Sequence, residues 1–193
     1  VKINGISFDG PAWLGGQCQP YGASGEGVKN LKSRIESNRF LDRRNLVSSF
    51  DKLKLTNDLE LWGDLRKQSY GLILGKASEA FDIKKEPEAS RKKYGSGLGE
   101  QMLLARRLVE NGTKFVTIHY GGWDMHSNIA KSLNGRMPPL DHALSTFIDD
   151  LYDRGMNKNV LLVVTGEFGR TYRVNKNAGR DHWAQLSPLM FSG

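Results

Sequence analysis

The 193-residue chain reads as an α/β domain with a mainly parallel sheet and flanking helices. Three observations predict this. NVLLVVTG (159–166) is a continuous apolar run, as in a strand buried on both faces. KFVTIHY (114–120) is β-branched and aromatic, and LSPLMFSG (186–193) begins another such strand. Between the first two lies PLDHALSTFIDDLYDRG (139–155), with Leu140, Leu144, Phe147, Ile148 and Leu151 at helical spacing. That alternation suits right-handed crossovers.

The elements follow in order. Residues 1–30 form a glycine-rich irregular loop, expected to pack over the domain through Trp13 and Tyr21. From Asn38, read as an N-cap, Phe40, Val47, Phe50 and Leu53 fall on one helical face. A second helix is expected from Asp58 to about Ser69 and a short third from Lys76 to Phe81. Pro87 suits the first turn of a brief helix ending near Tyr94-Gly95. LGEQMLLARRLVENG is the clearest helix, with Met102, Leu103, Ala105, Leu108 and Val109 inward and Gly112 as its cap. Residues 1–113 thus read as a glycine-rich loop and a helical cap or insertion, and residues 114–193 as a strand-helix-strand core. The opening at Val1 and the ending in PLMFSG suggest an incomplete domain, a piece of a longer chain.

Composition narrows the function classes. No apolar run approaches the roughly 18–20 residues of a membrane span. The single Cys18 excludes an internal disulfide and a cysteine-based zinc site, and reads as a passive small residue. The net charge is +7, but Arg43-Arg44, Lys84-Lys85, Arg91-Lys92-Lys93 and Arg106-Arg107 are interleaved with acids in helical segments. They read as solvated helix faces, so no nucleic-acid partner is expected. An anionic substrate is compatible with the charge.

The chemistry gathers in three motifs: HYGGWDMH (119–126), GEFGRT (166–171) and NAGRDHW (177–183). Two follow strands and the third precedes one, which places them at the rim where open α/β sheets bind ligands. Asp124 and His126, two apart after Gly121-Gly122, point the same way in an extended segment. They suit a divalent metal, or a general base with its orienting acid, or a turn cap beside a surface histidine. Glu167 at a strand end must be solvated, paired or metal-bound, and Arg170 is either its ion partner or a grip for a substrate anion. Asp181-His182 is a further carboxylate beside an imidazole. His119 reads as a structural or rim histidine and His142 as a surface one, while Trp123 and Trp183 wall a pocket or pack beneath the loops.

LLARRLVENGTKFVTIHYGGWDMH, PPLDHALSTFIDDLYDRG, VVTGEFGRT and AGRDHW together resemble the bacterial family called domain of unknown function 1501. AFDIKKEPEASRKKYG and GPAWLGGQCQPY fit the same pattern. The resemblance implies an alkaline-phosphatase-like fold, grouped with the sulfatases, and a periplasmic or secreted location. It implies a divalent metal (zinc, manganese or calcium is expected) at Asp124, His126 and His182, with Glu167 matching the carboxylate after a core strand; beside them, Asp181 is expected in support and Arg170 near the substrate anion. The Asp-His spacing of two, and Phe168 after Glu167, depart from the alkaline-phosphatase pattern. The resemblance also implies a nucleophile upstream of these residues. The expected function is metal-dependent hydrolysis of phosphate or sulfate esters. The alternative is a non-catalytic exported binding or structural protein on the same fold.

Overall fold

The computed structural model describes residues 1–3, 10–23, 29, 31, 36–50, 69–70 and 77–193. The chain falls into two compact units, residues 1–85 with 107–119, and residues 86–106 with 120–193. It is mixed α/β. No helix among the described residues is long and apolar enough to cross a membrane.

In the first unit, β1 (Lys2–Ile3) pairs in parallel with β2 (Thr117–Ile118). On its other side, Lys2 N–H donates to the Tyr21 carbonyl and Ala23 N–H to the Lys2 carbonyl. The glycine-rich loop is therefore tied by backbone bonds and by Tyr21, which packs edge-on against Phe81. Trp13, expected to pack as well, is 89 % exposed. Helix α1 (Ser37–Phe50) begins within a residue of the expected cap, and Phe40 meets Tyr70 edge-on. Val47 is exposed; Leu53 and the helix expected from Asp58 lie outside the described residues, apart from Ser69. The short α2 (Ala77–Ala80) ends on a buried cation: Arg107 donates to the Ala80 and Glu79 carbonyls at 2.9 and 2.8 Å. A positive charge on unsatisfied helix-end carbonyls is favourable.

The second unit is built on helices. Pro87 precedes α3 (Glu88–Tyr94), and Gly95 ends it at φ 71°. Helix α4 (Leu98–Glu110) buries Leu98, Met102, Leu103 and Ala105 in this unit and Leu108 in the first. Gly112, at φ 93°, follows it where the cap was expected. Helix α5 (Ile129–Asp153) starts ten residues before the expected Pro139 and runs through Pro138 and Pro139. Those prolines lack N–H groups, so the helix continues without two of its rungs.

Ala143, Phe147, Asp150 and Leu151 share the inward face of α5 at helical spacing. Asp150 on that face answers Arg106, which is fully buried. The Arg106 guanidinium takes both Glu86 oxygens at 3.2 and 2.6 Å, and its Nε lies 3.0 Å from Asp150. Tyr94 and Arg154 donate to Asp150, each at 2.8 Å. Arg106 and Arg107 are thus not part of a solvated face. They were legible as a charge pair, but their partners Glu86, Asp150 and Glu79 are distant in sequence.

The remaining strands correct the expected sheet. β3 (Leu162–Thr165) pairs with β6 (Leu189–Ser192), and β4 (Gly169–Arg170) with β5 (His182–Trp183), both antiparallel. A mainly parallel sheet is not what the described residues form. Parallel neighbours need a long crossover, usually a helix. The segment from Gly166 to Pro188 contains no helix and carries only the small β4–β5 ladder, so the chain returns antiparallel. Nor is β3 buried on both faces: Val163 is 46 % exposed, and Leu189 and Phe191 on β6 are exposed as well.

Candidate metal centre

The loop after β2 is held in place before any ligand is considered. Arg136 of α5 donates to the Gly121 carbonyl at 2.8 Å. Its guanidinium lies so close to Gly122, at φ 88°, that a side chain there would collide with it. Trp123 donates to the Tyr120 carbonyl at 2.7 Å and packs edge-on against the Tyr120 ring. This tryptophan packs within its own loop. Arg180 N–H then donates to the Met125 carbonyl, and Asn128 and Ile129 N–H donate to the Asn177 and Ala178 carbonyls. The two loops lie so close that a Cβ on Gly179 would sit 2.0 Å from the His126 carbonyl carbon. The glycine permits the approach.

That approach, with the β4–β5 ladder, brings the three motifs together. Nε2 of His126 lies 2.9 Å from Asp124 Oδ1, and Nε2 of His182 lies 2.8 Å from the same oxygen. The two Nε2 atoms are 3.1 Å apart. One carboxylate oxygen and two imidazole nitrogens therefore form a near-equilateral triangle. Tetrahedral zinc with bonds of about 2.0–2.1 Å spaces its ligand atoms about 3.3 Å apart. The triangle needs to open by only a few tenths of an ångström to serve as one face of such a site. All three residues are exposed, with Asp124 at 68 % and the histidines at 47 % and 48 %. A fourth position would face solvent.

Arg170 on β4 completes the electrostatics. Its Nη2 donates to Asp124 Oδ1, and its Nη1 lies 3.4 Å from His126 Nε2 and 3.1 Å from the Arg180 carbonyl. Hydrogen bonds from His182, then Arg170, hold the Asp124 carboxyl well below the usual carboxylate range. Phe168 packs against His182, ring centres 4.4 Å apart, and lies beneath the Arg170 guanidinium. The Phe168 position that departs from the alkaline-phosphatase pattern is thus a support for one candidate ligand.

Asp181 stands behind His126. Its Oδ1 is 3.3 Å from Nδ1, the ring nitrogen opposite the triangle. Asn175, then His126, hold its carboxyl below the ordinary range by hydrogen bonding. Glu167 is exposed and outside the cluster of Asp124, His126 and His182. It does not join the other sequence-predicted ligands, and Arg170 turns to Asp124 instead. His119 and His142 are exposed and also outside it. Cys18 is exposed. Trp183, 37 % exposed, lies near the Tyr172 ring. Asn175 was not singled out by sequence. Its only local signal is the N-x-N-x-G pattern of a turn closed by an Asn side chain.

The model of the family "Protein of unknown function (DUF1501)" matches residues 3–193, and the chain belongs to that family. No curated protein and no solved structure matches it.

Proposed function

We propose that this DUF1501 member is a metal-dependent hydrolase of phosphate or sulfate esters. One observation carries the reading: Asp124 Oδ1, His126 Nε2 and His182 Nε2 converge within 3.1 Å of one another beside the Arg170 guanidinium. Two imidazoles and a carboxylate with an open side are the donor set of catalytic zinc sites. The two nitrogens favour zinc over calcium, which prefers oxygen ligands, with manganese between them. A divalent metal held there would supply Lewis acidity at the ester. Arg170, one fifth exposed, would orient an oxyanion through its planar fork and offset the charge it gains. Phe168 keeps that guanidinium and the His182 ring in register. Asp181 would hold His126 for coordination rather than touch substrate. The grouping with alkaline phosphatases and sulfatases, and an exported location, are supported by the motif resemblance.

Hydrolysis of 4-nitrophenyl phosphate and 4-nitrophenyl sulfate by the zinc- or manganese-loaded protein tests this. Turnover should fall by about 100–1,000-fold in Arg170→Ala, the range for removing one oxyanion donor. It should vanish in Asp124→Ala. Metal-loaded protein that turns over neither ester, nor any wider ester panel, overturns the hydrolase reading.

The second reading is a metal-containing binding protein. The exposure of all three ligand candidates favours it, because catalytic sites are usually concave. It predicts stoichiometric metal without turnover.

A further inference from the structure

We infer that Asn175 is a positioning residue for the metal centre, setting the tautomer of His126 through Asp181. This rests on the metal-site reading above. The side-chain amide of Asn175 has four neighbours, and they leave only one orientation. Its Oδ1 accepts from the N–H groups of Asn177 and Gly179, at 2.9 and 3.0 Å. Both are donors, so the oxygen must face them. Its Nδ2 then donates to the His126 carbonyl at 3.2 Å and to Asp181 Oδ1 at 3.0 Å. One amide thus closes its own turn, grips the backbone of a candidate ligand and fixes the carboxylate behind that ligand.

The consequence lies on the imidazole. An ionised carboxylate only accepts hydrogen bonds, so at His126 Nδ1 it requires an N–H. The proton on Nδ1 leaves Nε2 with its lone pair, aimed into the triangle with Asp124 and His182. A carboxylate behind a metal-binding histidine works in this way, and losing such support costs about 10–100-fold in metal affinity. Asn175 belongs to the same chain of support, one residue further out. Asp181 N–H also donates to the Thr171 hydroxyl at 3.2 Å, which holds the carboxylate's backbone but not its oxygens. Direction of the oxygens therefore falls to Asn175.

Asn175→Asp separates positioning from folding. The new carboxylate keeps an acceptor for Asn177 and Gly179, so the turn is retained, but replaces the Nδ2 donor with an oxygen facing Asp181. The intact protein, labelled with nitrogen-15, is compared with this variant by imidazole nitrogen NMR and by zinc titration against a chelating dye. The wild type should show His126 protonated on Nδ1. In Asn175→Asp that tautomer should lose its dominance, and zinc affinity should fall by about 10–100-fold. Asp181→Asn, which can offer an N–H to Nδ1, should shift the tautomer the same way. An unchanged tautomer and unchanged zinc affinity in Asn175→Asp overturn the proposal. If Asn175→Asp does not fold, Asn175→Ser takes its place: its hydroxyl can still close the turn but does not reach Asp181 as the amide does, so a wild-type tautomer overturns the proposal and a shifted one supports it. A wild type that binds no zinc defeats the metal reading and with it a role of Asn175 at a metal; the tautomer comparison then decides only whether Asn175 orients His126 through Asp181.

Discussion

The Nε2 atoms of His126 and His182 lie 3.1 Å apart, and both approach the same oxygen of Asp124. A proton can sit on one of these nitrogens and bridge to the oxygen, but it cannot satisfy all three edges at once. A cation at the centre can. Because Asp181 keeps the His126 proton on Nδ1, the bridging proton here belongs to His182, whose Nε2 donates to Asp124. Coordination through Nε2 requires the His182 proton on Nδ1 instead, a change of tautomer without net proton loss. Imidazole nitrogen NMR during zinc titration should therefore show the His182 proton moving from Nε2 to Nδ1. A His182 tautomer unchanged by bound zinc would contradict this arrangement.

Asp124 meets both imidazoles and the Arg170 guanidinium. Asp124→Ala should reduce metal affinity by more than the about 10–100-fold that losing a supporting residue costs. Equilibrium dialysis against zinc would read the loss. Glu167→Ala, lying outside the cluster, should leave affinity unchanged.

Much of this was legible in the sequence. Asp124, His126, Arg170, Asp181 and His182 stand in polar motifs next to apolar runs, and they meet because backbone bonds between two loops and the β4–β5 ladder join those motifs. Glu167 stays outside that cluster, and of the alternatives the sequence leaves open for it, solvation fits a β3 that is short and exposed on one face. The strand directions were also beyond reach. They depend on whether 166–188 crosses over as a helix or doubles back, and its glycines and polar residues permit either. Asn175 acts through an amide whose four partners come from two loops, a relation that no spacing rule encodes.

Gly179→Ala tests how tightly those loops are matched. The added Cβ would lie 2.0 Å from the His126 carbonyl carbon and 2.4 Å from Ser127 N, so backbone must move. Forced overpacking of this kind costs about 1–3 kcal/mol. Urea unfolding should show a lowered midpoint, and zinc affinity should fall with it. A variant of wild-type stability would mean that the loops are not in contact.

Arg106 is the fully buried one of two cations, with Arg154, that face Glu86 and Asp150 in the helical core of the second unit. Arg106→Leu leaves both with less compensation. Breaking a buried pair from one side costs about 3–5 kcal/mol, and the urea midpoint should drop accordingly.

Asp150 makes the same cluster sensitive to acid. Burial works to raise its carboxyl, but hydrogen bonds from Arg154 and Tyr94 and the charge of Arg106 hold it below the usual range. The folded value is thus lower than the unfolded one, about 3.9. Its contribution to stability is complete above that unfolded value and is lost as pH falls through the folded value. Stability of the wild type should therefore hold near neutrality and fall below about pH 4. Asp150→Asn should be less stable at pH 6 and show a shallower acid decline. Parallel acid limbs for the two proteins would contradict the assignment.

If Asp124, His126 and His182 hold a divalent metal, elemental mass spectrometry of the purified intact protein will find it. After reconstitution and removal of loose ions, the wild type should retain about one equivalent of zinc or manganese, as expected for one three-ligand site. His126→Ala and His182→Ala should retain none. A wild type without stoichiometric metal, or variants that keep it, would exclude these three residues as the metal's ligands.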